Sequence, residues 1–166
     1  ELGACVKTPN NNGATPVHIA AQEGHVEVVR VLHELGACVK TPDTEGGCTP
    51  IFVAAQYGHV EAVRLLHELG GRVETPDKAG CTPDHIAALE GHVEVVRLLV
   101  ELGACVKTPD EDGRTPVYVA ARKGHLEVVR ALAELGACIK TPNKRGSTPA
   151  HISAAHGHPK MVRLLA

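Results

Sequence analysis

TPVHIAAQEGHVEVVRVLHELGA, residues 15–37, decides the fold. Thr15 suits a helix N-cap, because its hydroxyl can accept a hydrogen bond from a free N–H of the first turn. Pro16 suits the first helical position, where no N–H partner is needed. Val17, Ile19, Ala20 and Ala21 then make a short helix of small side chains. Gly24 can take the left-handed conformation that ends it. A second helix follows, with Val28, Val29, Leu32 and Leu35 on one face and Glu27, Arg30 and Glu34 on the other. Gly36 stops this helix. Residues 37–46 are rich in Pro, Asp and Gly and predict a hairpin-like extension.

The same text recurs along the chain. Thr-Pro before an apolar run occurs at Thr15, Thr49, Thr82, Thr115 and Thr148, in steps of 34, 33, 33 and 33 residues. His25, His59, His92, His125 and His158 each follow a Gly, and Leu35, Leu69, Leu102 and Leu135 each precede one. Helices this short are not stable alone. Each unit can bury its apolar stripe only against its neighbours, so stability is roughly a sum of repeat and interface terms. The expected architecture is all-α: one elongated, slightly curved solenoid over residues 1–166, with units centred on 8–36, 41–70, 75–103, 108–136 and 141–166.

These five units resemble the ankyrin repeat, whose period and T-P-L-H-x-A signature they share. After the first unit come TPIFVAAQYGHVEAVRLLHELGG, TPDHIAALEGHVEVVRLLVELGA, TPVYVAARKGHLEVVRALAELGA and TPAHISAAHGHPKMVRLLA. The resemblance covers the whole chain. It implies helix–turn–helix units with projecting β-turn fingers, and protein–protein recognition without chemistry. It further implies that the first His of each unit bonds within its own turn and that the Gly-His packs between helices. The departures are specific. GACVK or GACIK, and once GGRVE, stand where the family reads G-A-D-V-N, so Asn-directed hydroxylation would lack its target. Asp84 stands where an apolar residue is expected, and a buried Asp84 would need a partner such as Thr82 or His85. Phe52 and Tyr118 replace the signature His. The second finger carries a one-residue insertion at Gly46-Gly47. Pro159, Lys160 and Met161 make the last unit the most divergent.

Composition fits this organisation. Of 166 residues, 43% are apolar and 22% charged, and the aromatics are Phe52, Tyr57 and Tyr118 alone, so the core must be built from Val, Leu, Ile and Ala. No stretch approaches the roughly 18 apolar residues of a membrane span. The opening ELGACVKTPN is not a secretory signal, and without an initiator Met the chain reads as a fragment, a processed product or part of something longer.

Eleven His and six Cys residues invite a metal reading. Zinc needs ligands converging on one point, whereas these residues lie in columns along an axis, with His156 and His158 the sole local cluster. Cys5, Cys38, Cys105 and Cys138 form one column, Cys48 and Cys81 another. Column neighbours one repeat apart sit about 10 Å from each other, the spacing of packed helices, beyond the roughly 7 Å reach of a disulfide. Reduced thiols and an intracellular setting are expected. The acidic TPDEDG at residues 108–113 falls short of a calcium loop and reads as a finger tip. The KTP triplets at Thr8, Thr41, Thr108 and Thr141 read as turns. No nucleophilic triad, phosphate loop or carboxylate pair can be assembled. The expectation is a non-enzyme with no catalytic residue, metal or cofactor.

Function in a repeat array sits where the repeats disagree. Finger tips read Asn11-Asn12, Thr44-Glu45, Lys78-Ala79, Glu111-Asp112 and Lys144-Arg145. First-helix ends read Gln22-Glu23, Gln56-Tyr57, Leu89-Glu90, Arg122-Lys123 and Ala155-His156. Both rows are expected on the concave side and are the candidate partner-binding residues, with Arg114 beside them. Tyr57 and Leu89 are the expected central anchors, as exposed aromatic and apolar side chains. Charge is unevenly spread. Residues 1–112 hold eight Lys and Arg against 17 Asp and Glu, net −9, while residues 113–166 hold nine against two, net +7. Arg114, Arg122, Lys123, Lys144 and Arg145 are placed to steer an acidic protein partner to the C-terminal end. The acidic remainder repels phosphates and disfavours nucleic acid. Neither end shows the polar outer face of a capping repeat, which points to a longer array or to head-to-tail self-association. A structural or engineered scaffold without a specific partner is the alternative to a partner-binding module.

Overall fold

The computed structural model describes residues 5–166. Among those described there are ten helices and no strand, in five consecutive pairs: α1 (Pro16–Gln22) with α2 (Val26–Glu34), α3 (Pro50–Gln56) with α4 (Val60–Glu68), α5 (Pro83–Glu90) with α6 (Val93–Glu101), α7 (Pro116–Lys123) with α8 (Leu126–Glu134), and α9 (Pro149–Ala155) with α10 (Pro159–Leu165). First helices pack on first helices and second on second, in series. The fold is the expected all-α solenoid.

Local sequence sets each helix start. Thr15, Thr49, Thr82, Thr115 and Thr148 are extended N-caps, each followed by Pro in the first turn. Thr49, Thr115 and Thr148 accept hydrogen bonds from the N–H three residues on. At Thr15 and Thr82 the hydroxyl instead lies 2.9 and 2.7 Å from Nδ1 of His18 and His85. Those ring nitrogens also accept the backbone N–H of the capping Thr, at 3.1 and 3.3 Å. Gly24 has a φ of 69°, as expected of the residue that stops α1.

The core is a ladder of aliphatic layers. Ile51, Leu66, Leu99, Leu132 and Met161 are its largest fully buried apolar side chains. Burying one such side chain contributes about 1.5–3 kcal/mol. The first unit departs from the expected pattern. Val29 is buried, but Val28 is 47% and Leu35 61% exposed, joined by Ile19 at 45% and Val31 at 50%. The equivalents of Val28 further along, Ala62, Val95 and Val128, are buried. The cause is the packing rule itself. A second helix has two apolar flanks, and the preceding pair covers one of them; α2 has no such pair among the described residues.

Fingers are tight turns headed by Asn10, Asp43, Asp77, Asp110 and Asn143. Each side-chain oxygen accepts backbone N–H groups of its own loop. The inserted residue in the second finger is absorbed here, because Asp43 Oδ1 takes three N–H groups, from Gly46, Gly47 and Cys48. Neighbouring fingers are stitched edge to edge. The N–H of Thr44, Lys78, Glu111 and Lys144 donates to the carbonyl of Asn12, Gly46, Ala79 and Asp112, respectively.

Candidate functional site

Two sets of histidines lock each repeat to the next. His18 and His85 accept at Nδ1 from a backbone N–H, so Nε2 must carry the proton. It donates to the carbonyl of Cys48 and of Arg114 in the following repeat, both at 3.0 Å. Both rings are therefore neutral, and burial pushes the pKa of His18 below its ordinary value. Phe52 and Tyr118 occupy the same site and are also buried. The phenol of Tyr118 donates to Ser147 Oγ at 3.5 Å and accepts from Asn143 Nδ2 at 3.3 Å. The second set runs the opposite way. Nε2 of His59, His92, His125 and His158 donates to the carbonyl of Gln22, Gln56, Leu89 and Arg122, at 2.8 to 3.0 Å. The family expectation of own-turn bonding and interhelix packing describes half of this. The other half is the set of bonds across repeats, which join residues about one repeat apart and leave no local signal in the sequence.

These locks explain what is left for recognition. The C-terminal carbonyls of α1, α3, α5 and α7 and the tip amides of the fingers are engaged through the backbone. Most of the side chains at those positions are left free of the frame, Leu89 and Lys78 excepted. Asn11, Asn12, Glu23, Thr44, Glu45, Tyr57, Lys78, Glu90, Glu111, Asp112, Lys123, Lys144 and Arg145 are exposed, while Gln22, Gln56, Arg114 and Arg122 are half-buried. Lys78 is partly committed, because its Nζ donates to the carbonyls of Thr44 and Glu45. Leu89 departs from the expected exposed anchor: it is half-buried and packs against the core. Tyr57 is 49% exposed.

The structure brings one part of the two rows together. A cleft of about 510 Å³ lies between the finger tips and first helices of the last two repeats. Lys144 and Arg145 wall it from the finger, Arg122 from the end of α7, and Tyr118 and Ile152 line it between them. Arg114 reaches it while bonded to the buried Asp110 at 2.6 Å and to Asp112 at 3.2 Å.

The chemistry-bearing residues stay apart. Among the described residues no three of His, Cys, Asp and Glu come close enough to hold a metal ion. All six cysteines are free. Cys38 and Cys138 are exposed, and hydrogen bonds from Thr41 and Thr141 hold their pKa below the usual thiol value. Burial, followed by nearby carboxylates, pushes Cys48 up to about 11 and Cys81 to about 12. Asp84 is buried at an otherwise apolar position. Thr82 Oγ1 donates to its Oδ1, but Oδ2 has no partner, and burial raises its pKa. His85 Nδ1 is 3.9 Å away and already an acceptor, so the two do not form an ion pair.

Models of ankyrin repeats match the chain over residues 2–77, 40–110, 69–143 and 106–166. The chain belongs to the ankyrin-repeat family. Members of this family are generally protein–protein interaction modules and typically non-enzymatic. A search of curated proteins finds no match. No described helix is long and apolar enough to cross a membrane.

Proposed function

We propose that this chain is a non-enzymatic interaction scaffold that binds a protein partner along its concave finger and first-helix face. One observation carries this. The frame of each repeat is held by recurring Thr-Pro and Gly-His pairs, by buried layers and by backbone groups, while the side chains that differ along the fingers and first-helix ends are largely left facing solvent. A surface that varies on a fixed frame is how one fold serves different partners. Six free thiols fit a reducing, intracellular setting.

The test is an unbiased pull-down with the chain and with a variant carrying charge reversal of Arg122, Lys123, Lys144 and Arg145 together with Tyr57→Ala. The expected result is loss of the captured partner from the variant. Undiminished capture of every partner would show that the face is wrong.

A second proposal rests on Ile19, Val28, Val31 and Leu35, four exposed apolar side chains at the N-terminal end of the stack. They support end-to-end self-association of a scaffold without a specific partner. Light scattering at low and high salt decides it: a monomer at high concentration under both conditions rules it out.

A further inference from the structure

We propose that the cleft between the last two repeats is a subsite for clustered carboxylates, and that the partner's segment seated there is an acidic peptide. The proposal rests on the concave-face reading above and deepens it.

The four repeat junctions place different side chains at equivalent corners of the cleft. The corner positions here are Arg114, Arg122, Lys144 and Arg145. One junction earlier, they are Cys81, Leu89, Glu111 and Asp112. At the second junction they are Cys48, Gln56, Lys78 and Ala79, and at the first Ala14, Gln22, Thr44 and Glu45. Four cations therefore meet at one junction, against none, one and none at the others. The adjoining junction carries two carboxylates and repels the same ligand, so the preference is local.

Three of the four cations are unspent. Arg122, Lys144 and Arg145 make no ion pair among the described residues, whereas Arg114 is held by Asp110 and Asp112. Only Asp112 offers a lining carboxylate. Arg122 is half-buried, which weakens solvent screening of its charge. Two guanidiniums and an ammonium around one cleft suit carboxylates, which guanidinium forks bind in bidentate fashion. The phenol of Tyr118 is turned to Asn143 and Ser147. A His here would present an Nε2–H to a backbone carbonyl, as His18 and His85 do, and would leave those two side chains without the phenol. Tyr118 thus sets a polar floor beneath the cations.

The test is fluorescence anisotropy with a labelled 12-residue peptide alternating Glu and Ser. Three forms of the full chain are compared: unaltered, Arg122→Glu with Arg145→Glu, and Arg64→Glu with Arg72→Glu. The last pair makes the same change in net charge at exposed sites remote from the cleft. Circular dichroism establishes that each form keeps its helices, and Arg122→Gln with Arg145→Gln replaces the reversed pair if it does not. The expected result is at least a tenfold weaker Kd for the cleft variant, a less than threefold change for the remote variant, and no binding of the Gln-for-Glu peptide. Equal weakening in both variants, no measurable binding by the unaltered chain, or tighter binding of a thymidine oligonucleotide than of the Glu peptide would overturn the proposal. The pull-down remains separate: a partner lost on Tyr57→Ala alone upholds the interaction face even where the acidic subsite fails.

Discussion

His59 Nε2 donates to the carbonyl of Gln22 at 2.8 Å, and the same imidazole fills the space in front of Gly24, where a Cβ would come within 2.6 Å of Nδ1. One ring thus closes the end of the preceding first helix and demands a glycine after it. The arrangement repeats at Gly58 with His92, Gly91 with His125 and Gly124 with His158. Each Gly has a positive φ, a conformation that costs a residue with a Cβ about 1–2 kcal/mol.

Gly157 separates the two demands on this glycine. Its φ is 70°, but nothing lies within 4 Å of a Cβ built there. Gly157→Ala is therefore expected to lose only the backbone term, about 1–2 kcal/mol. Gly58→Ala has that term and must also displace His92 from 2.7 Å, so it is expected to lose a further ~1–3 kcal/mol as the bond to Gln56 breaks. Urea denaturation of the two variants measures the difference. Equal losses would mean that the His ring moves aside at no cost.

Asp84 is where the chain breaks its own pattern. Val17, Ile51 and Val117 hold the same place in other repeats and are fully buried. The raised pKa means that the folded state holds this proton more tightly than the unfolded chain does. Stability from this group is greatest below the ordinary carboxyl value of 3.8 and falls as pH rises through the folded pKa. Asp84→Val removes an orphaned oxygen and the pH-dependent loss together. It is expected to stabilise the protein at pH 7 by about 1–3 kcal/mol, raising Tm by about 2–4 °C for each kcal/mol. The gain should shrink toward pH 4. An unchanged or lower Tm at pH 7 would show that Asp84 is satisfied.

The contrast with Asp84 shows what a sequence of this kind makes legible. Thr-Pro restricts the local backbone and Gly frees it to turn left-handed, so the helix starts and the stop at Gly24 follow from the residues themselves. The bond from His59 to Gln22 does not, because it joins atoms 37 residues apart, and a repeat period says nothing about which atoms meet. Val28 illustrates the same limit. Its place on an apolar stripe is local information, but its cover is another repeat. Of the candidate site, the disagreeing positions can be counted off by register. Their meeting in one cleft needs the fingers stitched side by side through Lys144 and Asp112. Leu89 is half-buried where register alone predicts an exposed side chain, because side-chain direction at a helix end depends on neighbouring packing.

The cysteine columns should differ sharply in reactivity. Cys38 and Cys138 are exposed thiols stabilised as thiolates by Thr41 and Thr141. Cys48 and Cys81 are half-buried and face Asp43 and Asp77, which oppose ionisation. Thiolate is the nucleophile, so native-state alkylation with iodoacetamide at pH 7.5 is expected to modify Cys38 and Cys138 more than about tenfold faster than Cys48 and Cys81. Peptide mass spectrometry over a time course reads the four rates separately. Comparable rates across the two columns would contradict the environments described.

Acid should weaken the stack through His18. His18 is neutral in the fold, with Nδ1 accepting from Thr15 and Nε2 donating to Cys48, and burial lowers its pKa below the ordinary 6.5. A depressed pKa means that the unfolded chain takes up the proton first. The contribution of His18 is therefore complete above about pH 6.5 and is lost as pH falls from there through the folded value. Protonation puts a hydrogen on Nδ1, which then faces the N–H of Thr15 and can no longer accept it. The chain already tolerates an aromatic without this titration, since Tyr118 sits at the equivalent position and is buried. His18→Tyr is thus expected to keep the fold at pH 7.5 and to flatten the decline in urea midpoint between pH 7 and pH 5. An identical pH slope in the variant would show that His18 does not titrate with unfolding, and that the acid sensitivity of the stack lies elsewhere.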